Sequence, residues 1–118
     1  MGVIPEIAKF GIEVTLVEPG MARSNIASSS DNATPMDVYE ATPVGDFRRA
    51  IATYGEKIFI GDPIKMAKAI IASCELTPAP RQLVLGSDAY KHIEKALVER
   101  LALLRSQRQL ACSTDLTS

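Results

Sequence analysis

The sequence predicts an α/β fold containing a parallel strand pair, and three observations carry that expectation. Two short apolar segments bounded by glycine and proline read as strands, and a capped amphipathic segment lies between them. A long segment with helical periodicity closes the chain. Strand, helix and strand in that order make parallel neighbours joined by a right-handed crossover. Of the 118 residues, 47% are hydrophobic and 23% are charged, a globular balance that excludes a disordered or collagen-like body.

Ile4, Ile7, Ala8 and Phe10 share helical spacing. Gly11 ends that helix, because a residue without Cβ enters the left-handed region without a clash. The run Ile12-Glu13-Val14-Thr15-Leu16-Val17-Glu18 is rich in β-branched residues and reads as a strand stopped by Pro19-Gly20. Residues 21 to 61 form a long excursion; Ser28 to Pro35 is a cluster of turn formers and breakers. An excursion of this length is usually a functional lid or a disordered segment. Its second half, Asp46 to Tyr54, fits a short helix with Phe47, Ala50, Ile51 and Tyr54 on one face.

Asp62-Pro63 opens a clear helix, with Asp62 as N-cap and Pro63 at the first helical position. Met66, Ala67, Ile70, Ile71 and Cys74 form its expected buried stripe. After Pro78 and Pro80, the segment Arg81 to Gly86 has a solid apolar centre, the mark of a strand covered on both faces. Ser87 or Asp88 caps a long helix to about Gln109, with Ile93, Ala96, Leu97, Leu101 and Leu104 facing inward. The division expected is one domain or part of one over residues 1–110, with the lid at about 21–61 and a frayed polar tail at 111–118. A compact chain of this length buries about two thirds of its unfolded surface.

Thirteen basic against fourteen acidic residues give a net charge of −1, which leaves no field for steering a polyanion and argues against a nucleic-acid partner. No apolar run reaches the ~18 residues of a membrane span. The first residues lack a basic and apolar leader, and Glu6 stands where a myristoylation signal wants Ser or Thr, so the expectation is a cytoplasmic chain. Cys74 and Cys112 have neither metal-ligand spacing nor the density of a disulfide scaffold, and read as free thiols.

Catalytic constellations are absent from the sequence. His92, the sole histidine, lies among Lys91, Glu94 and Lys95 and reads as a solvated helix residue. The common zinc, redox-thiol, nucleophile-elbow and phosphate-loop motifs do not occur, and the carboxylates have no fixed pairing. Asn32-Ala33-Thr34 matches a glycosylation acceptor by chance. One turn has local geometry that suits a ligand: Pro19-Gly20-Met21-Ala22-Arg23-Ser24-Asn25, just past an apolar strand. Pro-Gly lets the backbone come close to a flat molecule, and the Met21 and Ala22 amides with the Ser24 hydroxyl can bond a carboxamide or a phosphate. An ordinary strand-ending turn has the same composition.

The run Ile7-Ala8-Lys9-Phe10-Gly11 through Val17-Glu18-Pro19-Gly20 resembles the short-chain dehydrogenase/reductase superfamily, at the segment that follows its Tyr-x-x-x-Lys helix. The likeness continues through Gly61-Asp62-Pro63-Ile64-Lys65-Met66-Ala67 and through Leu83-Val84-Leu85-Gly86-Ser87-Asp88-Ala89-Tyr90. The resemblance implies the C-terminal portion of a Rossmann-type doubly wound sheet. It also implies an oxidoreductase that moves hydride between NAD or NADP and a small-molecule alcohol or carbonyl. Pro19, Gly20, Met21, Ala22 and Ser24 would then line the nicotinamide side, and the excursion from about Asn25 to Ile60 would be the substrate lid. Ser24 stands where the family usually has Thr, which keeps the hydroxyl but loses the methyl that restrains it.

The family's glycine-rich turn, catalytic Ser and Tyr-x-x-x-Lys pair are expected before Met1, so no catalytic residue is assigned within the chain. Tyr54-Gly55-Glu56-Lys57 has the wrong spacing, and Tyr39 and Tyr90 have no lysine four residues on. The leading expectation is therefore a partial oxidoreductase, inactive alone. The alternative is a non-catalytic remnant that binds a complete family member or another protein, in a homo- or hetero-oligomer formed through its unpaired strand edge. An independent small enzyme with its chemistry in the excursion is a third reading.

Overall fold

The computed structural model describes residues 2–117. The elements run α1 (Val3–Ala8), β1 (Leu16–Pro19), α2 (Ile26–Ser29), α3 (Pro43–Tyr54), α4 (Pro63–Ser73), β2 (Gln82–Leu85), α5 (Ser87–Ser106) and α6 (Arg108–Ser113). Short 3-10 turns at Asp37–Tyr39 and Gly55–Ile58 flank α3. The two strands pair in parallel with Leu16 opposite Gln82 and Pro19 opposite Leu85, as the order of elements predicts.

Local sequence signals account for most of the boundaries. Past α1, the chain reverses at Gly11, whose φ of 75° is the left-handed value expected of the terminator. Asp62 caps α4: its Oδ1 accepts from the Ile64 amide at 2.9 Å and the Lys65 amide at 3.2 Å. Helix α3 starts at Pro43, three residues before the expected Asp46, because proline suits the first turn and Thr42 is already extended.

The strand expected from Ile12 to Glu18 is shorter, and Ile12 to Thr15 lie outside it. Among the described residues β2 is its one partner, and their ladder is four residues long. The preceding stretch is instead tied down by side chains: Thr15 Oγ1 donates to the Pro80 carbonyl at 2.7 Å, and Glu13 Oε1 accepts from the Ala79 amide at 3.1 Å. The first-turn cap of α5 is Gly86, with φ 104°, rather than Ser87 or Asp88, both of which lie inside the helix. This helix ends at Ser106, short of Gln109, and a further helix α6 runs into the first three residues of the polar tail, 111–113.

Burial departs furthest from expectation. Both α4 and α5 pack against strand β2, and Leu83, Val84 and Leu85 are half-buried. On α4, Met66, Ala69 and Ser73 turn toward the sheet, whereas Ala67, Ile70, Ile71 and Cys74 of the expected stripe are exposed. The expected inner face of α5 is likewise exposed at Ala96, Leu97, Leu101 and Leu104; Ala89 is buried and Ile93 half-buried. The accessible surface is 10242 Å². A compact monomer of this mass exposes roughly 6,200 Å². The radius of gyration, 20.3 Å, also exceeds the ~13.5 Å of a compact chain of this length. Two parallel strands and their helices make one rim of a core without closing it, so the apolar stripes exist but face no partner.

Candidate functional site

The turn after β1 sits where the carboxyl ends of both strands meet. The Gly20 amide donates to the Leu85 carbonyl at 2.7 Å, which carries the pairing one residue past the ladder. Ala22 then forms a parallel bridge to Gly61: the Gly61 amide donates to Met21 O at 2.9 Å and the Arg23 amide to Gly61 O at 2.8 Å. In such a bridge the neighbours of Ala22 bond the partner, so its own amide and carbonyl point the other way. Arg23 Nε also donates to the Phe59 carbonyl at 3.2 Å. These bonds bring the exit of the excursion back to its entrance, so residues 24–60 form a closed lobe beside the strand ends.

The Met21 amide, expected as a ligand donor, is instead donated to Asp88 Oδ2 at 2.8 Å. That hydrogen bond is the main reason the Asp88 carboxyl is held below its ordinary value, against a smaller opposing effect of burial. The other oxygen, Oδ1, is buried with no hydrogen-bond partner. A Cβ on Gly20 would fall 2.0 Å from Asp88 Oδ1, and one on Gly86 would fall 2.6 Å from the same atom. Two glycines thus make room for one carboxylate. Asp88 and Gly61 escape sequence reading of the site; the signal for both is a glycine just before a helix followed closely by aspartate, in Gly61-Asp62 and Gly86-Ser87-Asp88.

Pro19, Gly20, Met21, Ala22 and Ser24 therefore come together at the strand ends, with Pro19 as the last residue of β1. Ser24 is exposed; its Oγ accepts from the Ile26 amide at 3.4 Å, leaving its own hydrogen to donate. The outward donors of the turn are the Ala22 amide and the Ser24 hydroxyl.

In the lobe, α3 packs on the 3-10 turn before it. Arg48 and Arg49 both reach Glu40, and Arg49 also pairs with Asp46. The Arg49 hydrogen bond is the first reason the Glu40 carboxyl sits below the ordinary carboxylate range. An open cleft of about 590 Å³ lies between residues 32–36 and α3, lined mainly by apolar groups including Met36, Tyr39, Val44 and Ile51. His92 is exposed on α5, and both cysteines are free. Among the described residues no cluster of His, Cys, Asp and Glu has metal-site geometry, and no helix is long and apolar enough to cross a membrane.

No family model matches the chain. It is 34% identical over 93 residues to Oxidoreductase BOA17 of Botryotinia fuckeliana (strain B05.10), a match covering 77% of this chain and 33% of that protein. The crystal structure of a short-chain dehydrogenase from Streptomyces avermitilis superposes with a TM-score of 0.74 at 30% identity, covering 98% of this chain and 41% of that one. The chain thus spans about a third of the length of the curated relative. Motif order, a parallel α/β arrangement and both likenesses agree: this chain belongs to the short-chain dehydrogenase/reductase superfamily and shares the α/β character of its Rossmann-type fold.

Proposed function

We propose that this chain forms the nicotinamide-side wall and the substrate lid of a cytoplasmic NAD(P)-dependent oxidoreductase acting on an alcohol/carbonyl pair. Its catalytic groups come from outside residues 1–118. The observation that carries this reading is the turn at the strand ends, where the Ala22 amide and Ser24 hydroxyl are outward donors. NAD or NADP, when bound, supplies the hydride acceptor or donor. Pro19, Gly20, Met21, Ala22 and Ser24 orient that group, and the lobe with its apolar cleft excludes water from the substrate.

Proton transfer to or from the substrate oxygen needs an acid–base group with a suitably tuned pKa. Tyr39, Tyr54 and Tyr90 are followed four residues on by Pro43, Ile58 and Glu94, so none has the lysine partner of the family motif. The purified chain, given NADH or NADPH with a panel of aldehydes and ketones, is therefore expected to oxidise no cofactor above the protein-free rate. Sustained turnover would place the catalytic groups inside the chain and overturn this assignment.

A second reading draws on the surface in excess of a compact monomer and on the unpaired edge of β1: a non-catalytic chain that pairs that edge with a complete dehydrogenase or with itself.

A further inference from the structure

We propose that Asp88 is a positioning residue for the turn at the strand ends: its carboxylate latches the Met21 amide so that the Ala22 amide faces outward, and position 20 is glycine because Asp88 fills the space of a side chain there. The role assigned to the turn rests on the cofactor reading above; the latch itself does not.

Three observations converge on the latch. The contact joins residues 67 apart in sequence, tying the first turn of α5 to the end of β1. The three heavy atoms nearest to a Cβ on Gly20 all belong to Asp88, the closest at 2.0 Å. Gly20 does not have a positive φ, so backbone conformation alone permits alanine there. The requirement for glycine is thus imposed by Asp88. Finally, Asp88 Oδ1 is buried between the two glycines without a hydrogen-bond partner, so the carboxylate is held in place chiefly by its Oδ2 contact with Met21. With Met21 N–H held by Asp88 and Met21 O held by Gly61, the peptide planes on both sides of Met21 are fixed, and the next amide, that of Ala22, has its direction set.

The test is amide hydrogen exchange on the full 118-residue chain together with a two-site variant cycle. Asp88→Ala is expected to speed exchange of the Met21 amide at least about tenfold, the scale of one hydrogen bond to a charged acceptor. The Ile64 and Lys65 amides, capped by Asp62, serve as internal controls that keep their rates. Asp88→Asn retains a carbonyl acceptor of the same shape and is expected to restore most of the protection. Gly20→Ala is expected to lower the thermal midpoint in the native background and to be tolerated in the Asp88→Ala background, where the colliding carboxylate is gone. An unchanged Met21 rate in Asp88→Ala overturns the latch. So does an Asn variant as fast as Ala, or a Gly20→Ala penalty equal in both backgrounds. If Gly20→Ala fails to fold, the exchange rates of the Ala and Asn variants decide alone. A latch that passes while the turn fails to respond to added NADPH leaves Asp88 standing and removes the cofactor reading.

Discussion

Gly45→Ala is expected to loosen the lobe by about 2 kcal/mol, against the helix propensity that favours it. Gly45 is the third residue of α3, and in an unencumbered helix alanine there would stabilise by about 1 kcal/mol. The position is buried, however, and a Cβ would fall 2.2 Å from the Glu40 carbonyl oxygen and 2.7 Å from that of Tyr39. Both atoms are backbone and cannot rotate away. Separating α3 from the 3-10 turn would also pull Glu40 from Arg48 and Arg49. Overpacking against fixed atoms costs about 3 kcal/mol at the upper end, so the clash outweighs the propensity gain. Urea unfolding followed by a probe in α3 checks this; a midpoint that rises with Gly45→Ala would mean that the turn and helix are not packed as described.

The second large effect concerns association. Ile12, Val14 and Leu16 are 51%, 39% and 46% exposed along the approach to and start of β1. The strand has one partner, so its other edge offers unsatisfied backbone groups beside those side chains. The chain is expected to sediment above monomer mass at micromolar concentrations. Val14→Lys with Leu16→Lys is expected to weaken that association at least about tenfold, because a lysine carried into a packed edge must be desolvated. A monodisperse monomer at about 100 μM, where edge pairing worth −8 kcal/mol would be saturated, contradicts the edge-pairing reading.

Much of the fold was legible where a local signal suffices. Asp62-Pro63 marks the start of α4 and Gly11 the stop after α1, because a cap or a positive φ depends on the residue itself. The parallel pairing followed from the order of elements. What failed depends on neighbours. An apolar stripe such as Ala67, Ile70 and Ile71 reports which face can be buried, not whether anything covers it. Strand length likewise follows the partner, and β2 supplies four residues. The strand-then-Pro-Gly pattern singles out five turn residues that the fold brings together at the strand ends, whereas Asp88 reads as a cap because its contact with Met21 spans most of the chain. A side chain at a helix start that also takes a distant amide leaves no periodic trace.

The central claim, that Gly20 to Ser24 face a dinucleotide, is most directly tested by titrating NADPH into the isotope-labelled chain and following its backbone amides. The account predicts shifts at Gly20, Ala22 and Ser24 with a millimolar midpoint, weak because one wall of the site holds only part of the cofactor. Shifts confined to the C-terminal half of α5 or to α6, or no shift at these turn amides up to about 10 mM, would contradict it.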